Sequence, residues 1–277
     1  MISTSFVALP AVGLTVAVHE AGDPAGPPVF LLHGNSLSAS SFERQLMAFE
    51  LRQFRLVALD LPGHGQSPNA PGHYTIGGMK DVVVAVVLAL GLANALAVGH
   101  SYGGHLLLEA LPELPALRGL LAIGAPPVST DADFQAAFRF DETALLFYAP
   151  SLSPSQVQAL ARFCLRPGAP AAEVAPLAAA LARADGQART ALAASIAAGG
   201  LAAEVGYVAH TAVPLALAAG EYDTALNFAY FDALTAPSRW EKPLHQIPAA
   251  GHTPFLENPA AFNQLLLRFL AATGPAH

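Results

Sequence analysis

The chain has 277 residues, of which 53% are hydrophobic and only 12% are charged, a composition that can bury a large core in a single α/β domain. Its net charge is −7 and its basic residues form no cluster, which argues against a nucleic-acid-binding surface. The only cysteine is Cys164, so no intrachain disulfide can form, and we expect a reducing, cytoplasmic location.

Two apolar segments resemble targeting or membrane sequences, but short strands and a helix explain them better. The N-terminal stretch MISTSFVALPAVGLTVAVHE lacks a basic start and is interrupted by Pro10, so we predict two strands rather than a signal peptide. The run VVVAVVLALGLANALAVG at 82–99 is as long as a membrane span, but Gly91 and Asn94 divide it. We therefore predict a helix ending near Leu90, then a buried strand, and no membrane partner.

Six short apolar runs predict buried strands, and helical patterns separate most of them. The strands are expected at 27–34, 54–65, 95–98, 119–127, 213–223 and 244–252. The helices are expected at 40–50, 77–90, 103–111, 227–235 and 259–272. Strands that alternate with helices form a mostly parallel sheet with helices on both faces, and its sites lie at the carboxyl ends of the strands. The predicted fold class is therefore α/β.

Residues 129–211 interrupt this alternation. They contain no strand-like run and are rich in alanine, with helix-compatible stretches such as SPSQVQALARFC, which Ser153 or Ser155 can cap. We predict a helical cap at 129–211, inserted into a core formed by 1–128 and 212–277. Large apolar side chains crowd the first part of this cap, and we expect two or three of them to line a pocket. They are Phe134, Phe138, Phe140, Leu145, Phe147, Tyr148 and Leu152.

The stretch VGHSYGGHLL contains Ser101, with Gly99 and Gly103 two residues to either side. A strand precedes this serine and a helical pattern follows it, which is the context that a G-x-S-x-G nucleophile elbow requires. Because glycine has no Cβ, the backbone can turn sharply and lift the hydroxyl above the sheet. We interpret Ser101 as a nucleophile; the alternative is a glycine-rich turn with an incidental serine.

A serine nucleophile needs a histidine base and an acid that orients the histidine. When the serine lies on a G-x-S-x-G elbow, the expected order along the chain is serine, acid, histidine. Asp223 follows the fifth strand and His252 follows the sixth, so both are expected at the same edge of the sheet as Ser101. We predict that Ser101, Asp223 and His252 form a catalytic triad. Glu221, which lies nearer the end of the strand, is the alternative acid.

Acyl transfer also needs two N–H donors for the developing oxyanion. In the loop LLHGNSLSASSF, Gly34 lets the backbone turn toward the serine. We predict that the backbone amides of Asn35 and Tyr102 form the oxyanion hole, and that the Asn35 side chain adds a donor or holds a polar group of the substrate. The alternative is that Asn35 only makes an Asx turn.

The other histidines near these motifs are interpreted as structural. His33 and His64 end other strands, where hydrogen bonds that stabilise the turns are the favoured role. His100 is expected to point away from the serine hydroxyl, and His105 to pack against the sheet. The sequence has no H-E-x-x-H motif, no C-x-x-C motif and no close-spaced carboxylate cluster, so we predict no metal site and no cofactor.

The motifs LLHGNS, LDLPGHGQS, GHSYGG, the aspartate after GEY, and GHTPFLENP together resemble the α/β-hydrolase superfamily over nearly the whole chain outside the cap. HGNS with Phe42, DLPGHGQS, GAPPV, ARADGQAR and GHTPF resemble more closely the N-acyl-homoserine lactonases of the α/β-hydrolase type. The resemblance implies an α/β-hydrolase fold with a metal-independent Ser–acid–His triad. The sequence departs from those lactonases at Tyr102, where a smaller or aliphatic residue is expected. It also departs at Leu160, where a substrate-contacting tyrosine is expected and for which Tyr148 is a neighbouring substitute.

The resemblance implies that the partner is a small-molecule ester or lactone, opened through an acyl-enzyme. The best match is hydrolysis of N-acyl-homoserine lactones, which is quorum quenching. A general carboxylesterase of short acyl esters uses the same machinery, and so do cofactor-free haloperoxidase-like enzymes and C–C-bond hydrolases. A small-molecule receptor that retains the triad is the alternative from a different class. A dehalogenase is disfavoured because it needs an aspartate at the position of Ser101.

Overall fold

The structure is a computed structural model that describes residues 1–139, 141–201 and 203–274. In these residues, eight strands form one sheet. The strands are β1 (Ser3–Leu9), β2 (Leu14–Gly22), β3 (Pro28–Leu32), β4 (Arg55–Leu59), β5 (Leu96–His100), β6 (Gly119–Ile123), β7 (Leu215–Gly220) and β8 (His245–Ile247). The two strands predicted in the apolar N-terminus are therefore confirmed as β1 and β2.

The spatial order of the strands is β1-β2-β4-β3-β5-β6-β7-β8. β1 and β2 pair as an antiparallel hairpin in which Ser3 lies opposite Glu20 and Leu9 opposite Leu14, and β2 joins β4 in antiparallel fashion. All the other neighbours are parallel. The predicted class, a mostly parallel sheet within an α/β fold, is confirmed.

The helices, in chain order, are α1 (Glu43–Leu46), α2 (Ile76–Ala89), α3 (Tyr102–Glu109), α4 (Asp131–Ala137), α5 (Pro154–Phe163), α6 (Ala171–Arg183), α7 (Gly186–Ala197), α8 (Glu204–His210), α9 (Phe228–Ala233), α10 (Pro254–Glu257) and α11 (Pro259–Ala272). Short 3-10 helices lie at Ala39–Phe42, Phe49–Leu51, Pro71–His73 and Ala144–Tyr148.

The prediction of one continuous helix at 40–50 is wrong, because two 3-10 turns flank the four residues of α1. The serines at the start of this segment bond locally: Ser38 Oγ lies 2.7 Å from Ser40 Oγ. The amide of Ala39 donates to the Asp60 carboxylate at 2.7 Å. These bonds hold the start of the segment, where Ala39–Phe42 form a 3-10 turn, and the regular α-helix covers only Glu43–Leu46.

The parallel strands are buried on both faces. Phe30 and Leu32 of β3 pack into one apolar cluster with residues of α2 and α3, and Val29 and Leu31 pack into a second cluster with residues of α1 and α11. Successive side chains of a strand point to opposite faces, so both sets must be apolar. This explains why the strands have continuous apolar runs rather than an alternating pattern.

The long apolar run at 82–99 divides as predicted. α2 ends at Ala89, Gly91 turns the chain with a φ of 66°, and β5 begins at Leu96. A positive φ is accessible to glycine at little cost, which places the break at this residue. In the described part of the chain, no helix is both long enough and apolar enough to cross a membrane.

Residues 129–211 contain the five helices α4 to α8 and one of the 3-10 helices, and within their described part no strand. Ser153 caps α5: its hydroxyl accepts the Gln156 amide while the Gln156 side chain accepts the Ser153 amide. This capping box selects Ser153 over Ser155. The helices α5 and α6 pack on each other around a third apolar cluster, which also takes in Leu37 from the loop after β3. The exact bounds of the core and the cap stay a prediction.

Candidate active site

Ser101 lies at the turn from β5 into α3, with a φ of 48° and a ψ of −120°. Residues with a side chain rarely adopt this backbone conformation, which stores about 1–3 kcal/mol of strain when it occurs at functional sites. The neighbouring structure holds it in place, because the Ser101 amide donates to the Ile123 carbonyl at 2.7 Å and the His105 amide donates to the Ser101 carbonyl at 3.1 Å. The turn is therefore fixed on both sides of the serine.

The glycines around Ser101 are required by close backbone contacts. A Cβ on Gly99 would lie 2.6 Å from the Cα of Gly104, and a Cβ on Gly103 would lie 2.5 Å from the carbonyl oxygen of His33. Backbone atoms of α3 and of the chain just after β3 cannot move aside as a flexible side chain can. The G-x-S-x-G spacing is thus a packing requirement of the turn that presents the serine hydroxyl.

We expect Gly103→Ala to lower the free energy of unfolding by at least about 1–3 kcal/mol, because the added methyl group overpacks the turn. Gly72→Ala is the matched control, since a Cβ there meets no atom within 4 Å, and its effect should stay within about 0.5 kcal/mol. Urea unfolding of both variants measures the difference. Equal stability of the two variants would contradict this interpretation of the turn.

Asp223 follows β7 and His252 follows β8, and the two side chains meet at the carboxyl edge of the sheet. His252 Nδ1 lies 2.7 Å from Asp223 Oδ2, and both residues are buried. The other carboxylate oxygen of Asp223 accepts the Ala225 amide at 3.1 Å. Glu221 is exposed and accepts the Ala249 amide at 3.0 Å. The structure therefore brings Asp223, and not Glu221, to the imidazole.

The surroundings of His252 favour its protonated form. Burial lowers the pKa of His252, but the negative charge of Asp223 and the hydrogen bond to it outweigh burial, so the pKa is raised above its ordinary value. Gly124, with a φ of 60°, leaves room for the ring, since a Cβ there would lie 2.8 Å from His252 Cε1. Because Asp223 accepts from Nδ1, the opposite nitrogen, Nε2, is left to exchange a proton.

Ser101 and His252 line the same cavity, whose volume is about 90 Å³. In the part of the chain that the structure describes, the hydrogen bonds of the His252 residue run to Asp223 and His100 rather than to the Ser101 hydroxyl. Hydrogen bonds between a nucleophile and its base often tighten only when substrate binds. The structure thus brings the predicted nucleophile, base and acid to one site. The hydrogen bond between the Ser101 hydroxyl and the His252 imidazole is the contact that substrate binding would form.

The loop after β3 lies against the nucleophile. A Cβ on Gly34 would lie 3.2 Å from the Cβ of Ser101 and 2.7 Å from His100 Nδ1, so only glycine allows this approach. Asn35 and Tyr102 both line the cavity beside Ser101. The residues predicted to supply the oxyanion hole are therefore all adjacent to the serine.

The Asn35 side chain connects this loop to the cap. Its Nδ2 donates to the Phe147 carbonyl at 2.8 Å, and its Oδ1 accepts the Ser36 hydroxyl at 3.0 Å. Arg189 of α7 extends the network, because its guanidinium lies 3.4 Å from the Ser36 hydroxyl and donates to the Ala149 carbonyl at 2.8 Å. These contacts differ from the bonds of an Asx turn, and sequence reasoning missed both cap partners because they lie more than a hundred residues from Asn35.

His33 and His64 have the structural role that the sequence favours. Each donates from Nδ1 to a backbone carbonyl, at 2.8 and 2.9 Å, and accepts a backbone amide at Nε2, at 3.0 and 3.1 Å. Burial lowers the pKa of His33 and lowers that of His64 to about 3, so both rings are neutral at pH 7. His100 donates from Nε2 to the His252 carbonyl at 2.8 Å. Across the described ranges, no group of three or more histidine, cysteine or acidic residues is arranged to hold a metal ion.

Most residues that line the cavity lie between 129 and 211. The expectation that two or three of the crowded apolar side chains reach the pocket is too low, because within the described residues four do so: Phe134, Phe138, Phe147 and Tyr148. Leu145 is exposed and Leu152 packs against the apolar cluster of the cap. Phe140 lies outside the described residues.

The structure separates the two residues considered for the substrate-contacting tyrosine. Leu160 is fully buried in the apolar cluster of the cap, and it does not line the cavity that the described residues form. Tyr148 does line that cavity, and burial raises the pKa of its phenol to about 12. The neighbouring turn therefore supplies a tyrosine where the helix does not.

The expectation that His105 packs against the sheet is wrong. His105 Nδ1 lies 2.9 and 3.0 Å from the two carboxylate oxygens of Glu204, and the ring lines the cavity. Glu204 lies 99 residues further along the chain, in a segment without any motif. No sequence signal connects these two residues, and only the folded cap brings them together.

Comparisons with known proteins agree with this fold. The model of the alpha/beta hydrolase family matches residues 29–265. The chain is 30% identical to the N-acyl homoserine lactonase AidH, solved as a variant complexed with N-hexanoyl homoserine. The TM-score is 0.89, and the match covers 100% of this chain and 99% of that chain.

Curated relatives match over shorter segments. A putative non-heme haloperoxidase of Mycobacterium phage D29 is 34% identical over 37% of this chain and 36% of its own length. A bifunctional esterase/perhydrolase of Acinetobacter calcoaceticus is 32% identical over 42% of this chain and 43% of its own length. The matched segments span less than half the length of these relatives. The family model and the full-length likeness together confirm the predicted α/β-hydrolase fold, and this chain belongs to the alpha/beta hydrolase family.

Proposed function

We propose that the protein is a metal-independent serine hydrolase of carboxylic esters or lactones, with Ser101 as nucleophile, His252 as base and Asp223 as the orienting acid. The observation that carries this proposal is the 2.7 Å contact between Asp223 and His252 in a cavity that also presents Ser101 at a strained turn. A buried acid–imidazole pair beside an elbow serine has the parts that acyl transfer requires.

The proposed reaction passes through an acyl-enzyme. His252 takes the proton of the Ser101 hydroxyl as its oxygen attacks the carbonyl carbon, and the same imidazole then protonates the leaving alkoxide. In a lactone, that alkoxide remains tethered to the acyl group. Water, deprotonated by His252, next attacks the ester of Ser101 and releases the acid. Asp223 fixes the ring with Nδ1 protonated and stabilises the imidazolium.

We propose that the backbone amides of Asn35 and Tyr102 stabilise the oxyanion. Tyr102 is the first residue of α3, so its N–H is one of those that a helix leaves without an intrahelical partner. The close approach of Gly34 to Ser101, where a Cβ would lie 3.2 Å from the serine Cβ, supports the Asn35 amide as the second donor. Each donor in such a hole typically contributes about 3–4 kcal/mol to the stability of the transition state.

As substrates we propose N-acyl-homoserine lactones, which would make the protein a quorum-quenching lactonase. The support is the full-length likeness to AidH at 30% identity and the apolar walls that Phe134, Phe138 and Phe147 give the cavity, which suit an acyl chain.

We propose that residues 129–211 form the cap that carries these walls over the core of 1–128 and 212–277. The single cysteine, Cys164, supports a cytoplasmic location.

A general carboxylesterase is the second candidate, favoured by the esterase/perhydrolase relative. The test compares kcat/KM for ring opening of a hexanoyl homoserine lactone with kcat/KM for p-nitrophenyl hexanoate. A higher kcat/KM for the lactone than for the ester in the wild type, with lactone opening lost in Ser101→Ala, supports the lactonase. Flat activity on esters from short to long acyl chains, with no lactone opening, would overturn it. One slow turnover followed by a ligand-induced rise in Tm would identify a receptor instead.

A further inference from the structure

The apolar cavity contains a histidine that the proposed reaction does not use. His105 lies on α3 four residues after Ser101, and its ring lines the cavity. Ser101 lines the same cavity, at the N-terminal end of α3. A substrate in this cavity can therefore meet His105 as well as the serine hydroxyl.

Glu204 of the cap fixes the orientation of this ring. Its carboxylate is fully buried and receives His105 Nδ1 between its two oxygens, at 2.9 and 3.0 Å. One of these oxygens also accepts the Val128 amide at 2.9 Å. Burial raises the pKa of Glu204, while His105 and the Val128 amide oppose that rise. A donor that lies between two acceptor oxygens is an N–H, so the Nδ1 of His105 carries the proton.

The opposite ring nitrogen faces the cavity. In residues 1–139, 141–201 and 203–274, Nε2 of His105 has no hydrogen-bond partner, and it does not belong to the fully buried polar atoms that lack one. It is therefore exposed to the cavity. In its neutral form, a ring that donates from Nδ1 presents a lone pair at Nε2, and this atom then accepts a hydrogen bond.

The surroundings make this acceptor selective. Apolar side chains line the same cavity, among them Phe138, Leu192, Ile196 and Leu201, and the centroid of the Phe138 ring lies 5.8 Å from that of His105. A polar atom in an apolar pocket loses its bond to water when a ligand fills the pocket, and this loss is offset only when the ligand supplies a partner. A few polar groups in an otherwise apolar site are what set ligand specificity.

We propose that His105 is a specificity-determining residue that accepts a hydrogen bond from a hydroxyl group on the acyl chain of the substrate, with Glu204 as its positioning residue. The protein then selects hydroxyacyl esters or lactones over their unsubstituted counterparts. This inference rests on the proposed function for its substrate class, and the test below separates the two.

The test measures Kd by calorimetry with Ser101→Ala protein, which binds the ligand without turning it over. The ligands are the 3-hydroxy, 3-oxo and unsubstituted forms of one acyl-homoserine lactone. We expect the hydroxy form to bind about three- to tenfold more tightly than the unsubstituted form, as for one net hydrogen bond. Adding His105→Leu with Glu204→Gln should abolish this ratio. The introduced side-chain amide leaves no buried charge without a partner, and its oxygen still accepts from the Val128 amide, so the fold is retained.

The matched control is His19→Gln, which alters another histidine–carboxylate pair, 2.9 Å from Asp60, away from the cavity, and which should leave the ratio unchanged. An equal ratio with and without His105 would overturn the proposal, and so would a preference for the 3-oxo form. The ratio is independent of turnover. If wild-type protein opens lactones but shows no hydroxyl preference, the specificity inference alone fails. If the preference is present without Ser101-dependent turnover, the proposed function fails.

Discussion

Replacing Ser101 with alanine is expected to lower kcat for the best ester or lactone substrate by roughly 10⁴- to 10⁶-fold, as removal of a nucleophile does in other serine hydrolases. The reason is that the covalent route has no other attacking oxygen at the elbow, while the amides of the oxyanion hole and the binding cavity remain. Steady-state kinetics on purified wild-type and variant protein measure the loss.

Ser101→Gly is the companion variant, because it removes the hydroxyl and also the backbone strain. Alanine keeps a side chain at a φ of 48°, so its Tm should stay near that of the wild type. Glycine adopts this φ freely and should stabilise the fold by about 1 kcal/mol, less the entropy that glycine gains in the unfolded chain. Turnover retained in either folded variant would contradict the nucleophile assignment.

Asp223→Asn is expected to lower kcat by about 10⁴-fold, the loss seen when the acid of a serine protease triad is replaced by its amide. An amide can donate to Nδ1 and so hold the ring in the wrong tautomer, with Nε2 protonated and unable to take the serine proton. Glu221→Gln is the matched control at the exposed alternative acid, and it should change kcat by less than about twofold. Similar losses in the two variants would contradict the assignment of Asp223.

The pH dependence of kcat/KM should report the base. His252 must be neutral to accept the serine proton, so kcat/KM should rise with pH and level off above the pKa of His252, which the charge of Asp223 holds above its ordinary value of 6.5 despite burial. In Asp223→Asn this attraction is gone, and the residual activity should titrate at lower pH. A midpoint that does not move between the two proteins would contradict the coupling.

The contact between His252 and Asp223 also stabilises the fold, and its contribution falls as the pH rises. The folded protein binds the His252 proton more tightly than the unfolded chain does, so the pair stabilises the fold fully below pH 6.5, the unfolded value. This contribution is lost as the pH rises through the higher folded-state pKa. The difference in Tm between wild type and His252→Gln should therefore shrink as the pH rises through that window.

Local sequence signals were sufficient for the parts of the fold that depend on neighbouring residues. Gly91 marked the end of α2, Ser153 or Ser155 marked the start of α5, and the apolar runs marked the parallel strands. The segment at 40–50 was different, because the bond from Ala39 to Asp60 joins residues that are 21 apart. A helical pattern cannot reveal a contact between residues so far apart in the chain.

The candidate site divides in the same way. Ser101, Asp223 and His252 each follow a strand, so the parallel sheet alone predicts that they meet at one edge. His105 and Glu204 come together only because α8 packs against α3, and no strand or motif marks Glu204. The meeting of Ser101, Asp223 and His252 at one edge was thus readable from the sequence, whereas the contacts that residues 129–211 make with α3 and with the loop after β3 required the structure.

The central claim is that Ser101 becomes covalently acylated. Its most direct test is intact-mass and peptide mass spectrometry after treatment with a fluorophosphonate, alongside the burst of p-nitrophenol from an activated ester. We predict one label per chain, on the peptide that carries Ser101, a burst of equal size, and no label in Ser101→Ala. A label on another residue, or equal labelling of the alanine variant, would contradict it.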